Sequence, residues 1–306
     1  MPGSSQQWKE AFLSEHKLPA EFLPHAETWF EPLAPVLLSR FFKTPERTNP
    51  ILLGVNGCQG SGKSTFCAYL SAFLKSEHGM KVLVLSLDDF YLTRAERHHL
   101  GASVHPMLAT RGVPGTHDIG LLIKTLDELW SRKRTHTVPI PRFDKATDDR
   151  HVPDKWDAVE GTVDLVLLEG WCMGARPQTD EELQRPVNEL ERLEDANCTW
   201  RSYVNNAMQQ FFLPLYERVD AWIMLAAPSF ACVFDWRLEQ ETKLASAASD
   251  EHNAVMDPEM VKRFTQYFER LTVHCLTHLP DSVDYLLRLD EFRNIVSTKP
   301  SWHIEP

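Results

Sequence analysis

Gly57-Cys58-Gln59-Gly60-Ser61-Gly62-Lys63-Ser64-Thr65 is the stretch on which the fold turns. It follows the apolar run Ile51–Val55 and precedes an amphipathic segment over 63–76, so it reads as strand, glycine-rich loop and helix. The spacing is that of a phosphate-binding loop, G-x-x-x-x-G-K-[ST], in the context that motif requires. Glycines let backbone N–H groups turn inward around phosphate oxygens, and the helix N-terminus adds partial positive charge. Lys63 is expected to neutralise the β- and γ-phosphates of ATP, and the Ser64 hydroxyl to ligate Mg2+. The whole loop, Gly57 through Thr65, is the predicted cofactor-binding segment.

Outward from the loop, short apolar runs alternate with amphipathic segments. The runs are Ile51–Val55, Val82–Ser86, Val163–Leu168, Ala221–Ala226 and Val283–Leu289, with helical spacing over 63–76, 118–132, 202–218, 229–246 and 258–276. Runs apolar at every position suit strands buried on both faces, which is how a parallel sheet covered by helices reads. The expectation is an α/β P-loop NTPase fold with a doubly wound, mainly parallel five-stranded sheet flanked by helices. Residues 1–50 read as a helical extension, with helices over Gln6–His16 and roughly His25–Phe42, closed by Pro45 and Pro50. The kinase-like domain is then 51–306. Within it, 171–201 is long and poor in apolar periodicity, and is expected to be a lid or insertion beside the site.

The chain of 306 residues carries a formal charge of −11, which argues against bulk nucleic-acid or anionic-membrane binding. Much of that charge is local: 178–195 holds seven acids against two arginines. The opening residues lack a secretory apolar run, and no apolar stretch is long enough to span a bilayer. Six scattered cysteines without a C-x-x-C pair suit reduced thiols in the cytoplasm. Among them Cys58 lies beside Lys63, where cationic surroundings are expected to lower its pKa. His98, His99 and His105 lack supporting ligand spacing and read as a polar loop.

Residues just past the C-terminal ends of parallel strands face the ligand crevice. Ser86-Leu87-Asp88-Asp89-Phe90-Tyr91 follows the second run, so Asp88 and Asp89 are expected near the γ-phosphate, able to accept a hydroxyl proton or help hold Mg2+. The third run ends in Glu169, the strand-terminal acid expected to act on Mg2+ through water or to orient the nucleophile. Two cationic segments lie between, Arg111–Asp118 with His117, and Pro141–Arg150 with Arg142, Lys145 and Arg150. Arginine suits bidentate contact with carboxylate or phosphate. No guanine-reading NKxD-like segment and no LSGGQ-like signature occurs, so a small-molecule kinase fits better than a GTPase or an ABC-type ATPase.

GCQGSGKST, SLDDFY, RGVPGTHD, PRFDKATDDR, LLEGW and the late Asp235-Trp236-Arg237-Leu238-Glu239 together resemble the D-glycerate 3-kinase family, relatives of uridine kinase, phosphoribulokinase and pantothenate kinase. The resemblance runs in order from about Ile51 to Leu289. It implies ATP as donor, Mg2+, and a small hydroxy acid as acceptor, without nucleic-acid or membrane partners. It makes Asp88 the general base, with Lys63 and Glu169 beside it and Ser64, Asp88 and Glu169 toward the metal. Asp89, Tyr91, Arg111, His117, Arg142, Lys145 and Arg150 are implied on the substrate side, and Arg237 toward the nucleotide. Arg185, Arg192 and Arg201 are further lid candidates. Two alternatives stay open: a kinase for a nucleoside or pantothenate-like acceptor, and a non-catalytic, nucleotide-dependent interaction protein.

Overall fold

A computed structural model of the chain describes residues 3–43, 49–131, 137–247 and 256–300. Pro45, residue 132 and the outer ends of the expected 1–50 and 51–306 units lie outside the described residues. The strands in chain order are β1 Ile51–Gly57, β2 Val82–Ser86, β3 Val138–Ile140, β4 Phe143–Asp144, β5 Asp149–Arg150, β6 Asp157–Val159, β7 Leu165–Gly170, β8 Ala221–Ala226, β9 Tyr285–Leu289 and β10 Ile295–Pro300. The central sheet has the order β10-β9-β8-β1-β7-β2. Its first five strands in sequence are parallel neighbours, as the apolar runs predict, and the reason is visible in burial. Every residue of β1 and of β7 is buried, because helices cover both faces.

The expected five strands become six. β10 pairs antiparallel with β9 through a turn in which the Asp290 carboxylate accepts from the backbone N–H groups of Phe292 and Asn294. Its sequence, IVSTKP, is polar and mostly exposed, so no apolar run announces it. Two small ribbons, β3–β6 and β4–β5, complete the strands.

Two apolar clusters lie on the two faces of the sheet. One includes Phe12, Phe30, Leu33 and Leu37 from the N-terminal helices, packed with Leu53, Phe66 and Tyr69. The helix expected over His25–Phe42 is two helices, Phe22–Trp29 and Leu33–Phe41, broken where Pro32 begins the second. Lys9 ties this layer to itself through Glu27 at 2.7 Å and Glu31 at 2.8 Å, and Glu31 also accepts from the Tyr69 hydroxyl. The helix expected over 202–218 is Thr199–Ala207, a π-helical turn Met208–Phe212 and Leu213–Tyr216. His98 and His99 lie on the helix Arg94–Ser103, not in a loop, behind a Thr93/Glu96 capping box.

The stretch read as an irregular connection, 171–201, holds two short helices within irregular chain and is pinned. Asp180–Gln184 and Glu189–Glu194 are short helices capped by Thr179 and Asn188. Arg201, 3% exposed, donates to Asp195 at 2.8 Å, and Arg270 from the helix Pro258–His278 donates to both Glu191 oxygens at 2.6 and 2.7 Å. Arg192 is exposed and pairs with Glu189, while Arg185 is exposed and gives only its carbonyl to Arg270. Glu191→Ala strands a buried guanidinium and is expected to destabilise the fold by about 3–5 kcal/mol. Chemical denaturation measures it, as a fall in the midpoint at unchanged slope. Among the described residues no helix is long and apolar enough to cross a membrane.

Candidate active site

β1 sits at the centre of the sheet with β7 on one side and β2 beyond it, in a register that pairs Val55 with Glu169 and Ser86 with Glu169. The phosphate-binding loop, Glu169 and the Asp88-Asp89 turn therefore emerge side by side at one end of the sheet. The loop leaves β1 and enters the helix Lys63–His78, with Gly62 as its N-cap at φ 84°. Gly60 has φ 81°, and a Cβ there would lie 2.7 Å from the Cβ of Trp236, so glycine is required on both conformational and steric grounds. Trp236 is itself held by its indole N–H on the Glu291 carbonyl, 2.8 Å.

Inside the loop, Ser64 donates from Oγ to Glu169 Oε1 at 2.9 Å, and Lys63 Nζ lies 3.7 Å from Glu169 Oε2. Glu169 is 5% exposed, and its Oε2 has no hydrogen-bond partner among the described residues; Gln59 Oε1 and Ser61 Oγ are buried in the same condition. Burial works against the Lys63 charge, but Glu169 and Asp88 outweigh it and raise the ammonium above its ordinary value. Thr65 follows in the first turn of the helix. The expectation of an acidified Cys58 is corrected: it is 4% exposed, and burial pushes the thiol up to about 12 despite Lys63.

Asp88 and Asp89 lie in a 3-10 turn, Leu87–Phe90, immediately after β2. Asp88 accepts from Lys145 Nζ at 2.8 Å and from the Tyr91 hydroxyl at 2.9 Å. Burial opposes ionisation of Asp88, yet the Lys145 and Lys63 ammoniums hold its carboxyl down at about 2. Asp89 accepts from Arg142 Nη1 at 2.6 Å and from the Phe143 backbone N–H. Burial outweighs these contacts and raises its carboxyl. Arg142 also grips Asp157 at 2.7 Å. The two acids thus face different cations: a lysine, 63% exposed in its side chain, on Asp88, and on Asp89 an arginine whose other nitrogens hold Asp157.

The remaining substrate-side candidates join the same cluster. Arg150 donates to the Tyr91 carbonyl at 2.7 Å and to Asp118 at 3.1 Å. Asp118 also caps the helix Ile119–Trp130 through the Leu121 N–H. His117 is buried and stacks on Tyr91 with ring centroids 4.4 Å apart. Burial lowers its imidazole to about 4, against the pull of Asp88, so the ring is neutral at physiological pH. Arg111 pairs with Asp148, and its guanidinium lies over the Phe143 ring. Arg237 stands apart: it pairs with Glu241 on its own helix and lies over Phe264, 5.2 Å to the ring centroid, while its neighbour Trp236 meets the phosphate-binding loop.

Sequence reasoning missed Arg97. Fully buried, it donates to the carbonyls of Leu92, Ala109 and Asp148 and pairs with the Asp148 carboxylate at 3.0 Å, binding the β4–β5 ribbon to the segment after β2. Its partners are the nearby Leu92 and Ala109 carbonyls and, 51 residues on, both the carbonyl and the carboxylate of Asp148, and no spacing in the sequence signals that. Asp148, at φ 55°, is the second missed residue, since it joins Arg97 to Arg111.

A scan against protein-family profiles gives no match. An uncharacterized kinase of Schizosaccharomyces pombe, mug58, is 30% identical over 77% of this chain and 90% of its own length. The chloroplastic D-glycerate 3-kinase of Arabidopsis thaliana is 27% identical over 74% of this chain, a match that spans about half (48%) of that protein. The solved structure of D-glycerate 3-kinase from Cryptococcus neoformans superposes with a TM-score of 0.68 over 97% of this chain and 99% of its own, at 24% identity, a likeness of fold. Fold, loop and relatives together define an ATP-dependent P-loop kinase that phosphorylates a hydroxyl group. Within that class the chain belongs to the same family of P-loop kinases as the Schizosaccharomyces pombe protein, and it is similar to the D-glycerate 3-kinases.

Proposed function

We propose that this kinase transfers the γ-phosphoryl group of ATP to a hydroxyl of D-glycerate, giving 3-phosphoglycerate, or of a close hydroxy acid. The observation that carries the reading is Asp88, an ionised carboxylate beside the phosphate-binding loop, bound by a lysine that is largely in solvent. A base held at about 2 is too weak to draw a proton effectively near neutral pH. An acceptor carboxylate that draws Lys145 to itself removes the cation from Asp88, and its basicity rises as the hydroxyl arrives. Arg142, Arg111 and Arg150, each paired with an aspartate, would frame that acceptor, with Asp89, Tyr91 and His117 shaping its walls. A neutral nucleoside has no such hold on Lys145, which favours an acid as acceptor.

Ser64 and Glu169 suit Mg2+. The donor set is all oxygen, Ser64 Oγ and Glu169 Oε1 lie 2.9 Å apart, and Glu169 Oε2 is buried without a hydrogen-bond partner among the described residues. Asp88 lies on the same side. When bound, the ion neutralises charge on the transferring phosphoryl group. Lys63 and the loop N–H groups hold the phosphates in line with Asp88, and the acceptor hydroxyl gives its proton to the Asp88 carboxylate as its oxygen attacks phosphorus. Trp236 would support the nucleotide end through the Gly60 contact, with Arg237 beside it on the same helix. The working compartment in this reading is the cytoplasm, in keeping with six free cysteines of which five are buried.

The deciding experiment is ATP consumption with D-glycerate, uridine and pantothenate in parallel, with the phosphorylated position identified. Glycerate-dependent ADP release with phosphate on the C3 hydroxyl is expected. Turnover with uridine or pantothenate alone would transfer the acceptor assignment to those compounds. ATP binding without turnover on any acceptor would favour a nucleotide-dependent interaction protein.

A further inference from the structure

His274 and His278 end the helix Pro258–His278, four residues apart and so on one face, with ring centroids 4.4 Å apart. Glu182 meets them from the 171–201 insertion. One ligand atom of each residue lies within 4.8 Å of the other two, and no other trio of His, Cys, Asp or Glu does so among the described residues. We propose that Glu182, His274 and His278 form a site for a transition-metal ion of the Zn2+ class, which joins the insertion to the helix Pro258–His278.

The donor chemistry sets the metal. Two imidazoles and a carboxylate match three-ligand zinc sites that keep a fourth position for water, whereas Mg2+ takes oxygen donors. The site is therefore different in kind from the all-oxygen Ser64–Glu169 pair. Tetrahedral zinc with bonds of about 2.0–2.1 Å needs ligand atoms about 3.4 Å apart. Side-chain rotation can close the remaining gap, because Glu182 and His278 are exposed.

The frame is already in place. Arg270, one turn before His274, donates to the Glu182 carbonyl at 3.2 Å and to the Arg185 carbonyl at 2.6 Å. Glu182 Oε2 accepts from the Thr179 N–H at 2.7 Å and its hydroxyl at 3.0 Å, which orients the carboxylate as outer partners do in metal sites. Two cations lie close enough to oppose a metal ion. Arg270 is neutralised by Glu191, and Arg176 is drawn over the Tyr216 ring. Arg176, Trp222, His274 and His278 line a cavity of about 210 Å³ that gives an ion and its water access.

The test uses the full chain, freed of metal by chelation and titrated with Co2+ and then Zn2+ in excess Mg2+. Expected are one equivalent of Co2+ with visible d–d absorbance, its displacement by Zn2+, and a Zn2+-dependent rise in unfolding midpoint. His278→Ala removes an exposed ligand, and Glu182→Gln keeps an acceptor for the Thr179 cap. Each should weaken Zn2+ binding by at least about tenfold, since even outer partners of metal ligands are worth 10–100-fold. Kinase turnover with Mg2+ alone should stay unchanged in both variants, which separates this site from the phosphoryl-transfer reading. Equal Zn2+ stoichiometry and affinity in wild type and variants, or no Zn2+ binding by wild type, would overturn the proposal.

Discussion

Lys63→Ala is expected to lower turnover by about 10²–10³-fold or more, the range lost when one preorganised cation or donor is removed from a developing negative charge. The side chain supplies the positive charge nearest the loop, and Glu169 and Asp88 raise its ammonium so that it is charged throughout the working pH range. Alanine is the best helix former, so the helix Lys63–His78 should keep its start. Glu169 loses a neighbour at 3.7 Å but keeps the Ser64 hydroxyl at 2.9 Å. Steady-state ATP turnover, beside a thermal melt showing a folded chain, makes the comparison. Turnover within a few-fold of wild type would remove the loop lysine from the mechanism.

Asp88→Asn should spare ATP binding and cost about 10²–10⁴-fold in kcat, the usual worth of a positioned proton acceptor. Asparagine has the size of aspartate and can still accept the Tyr91 hydroxyl, but it cannot take a proton from an attacking alcohol. The pH dependence follows from the sign of the shift. The Asp88 carboxyl is depressed to about 2, so the ionised form is complete above that and is lost only as pH falls through it. The free-enzyme kcat/KM should then show no acid limb from Asp88 between about pH 5 and 8. If the variant keeps near-normal kcat with nucleotide affinity intact, the proton acceptor lies elsewhere.

Where the residues carrying a feature are adjacent in sequence, the feature was legible. The loop from Gly57 to Thr65 is one contiguous motif, and β1, β7, β8 and β9 are apolar because they are largely buried, while the edge strand β2 is apolar but only partly buried. The acids at 88 and 169 were legible for the same reason, since each directly follows a buried run. What stayed hidden depends on partners far apart in the chain. Arg97 looks like one more charge in a polar helix until its three carbonyl acceptors are seen. Glu191 and Arg270 neutralise each other across 79 residues, so length and poor apolar periodicity marked 171–201 as a lid or insertion but gave no sign of the ion pair that pins it. Cys58 was misread because proximity to a cation is visible in sequence and burial is not. β10 was missed because a strand half in water has no need of an apolar run.

That last strand also covers an edge at which a second chain could otherwise add. β9, YLLRL, is buried at every position but one, and without a neighbour its outer side would offer another chain a row of unpaired amide and carbonyl groups on an apolar backbone. β10 occupies that row, and its own rim ends in Lys299 and Pro300 after a bulge between Ile295 and Ser297. A proline lacks the donor that an incoming strand needs, and Lys299, paired with Asp281 at 3.2 Å, places a charged pair beside that rim. An edge strand of this composition therefore serves against edge-to-edge growth as well as completing the sheet.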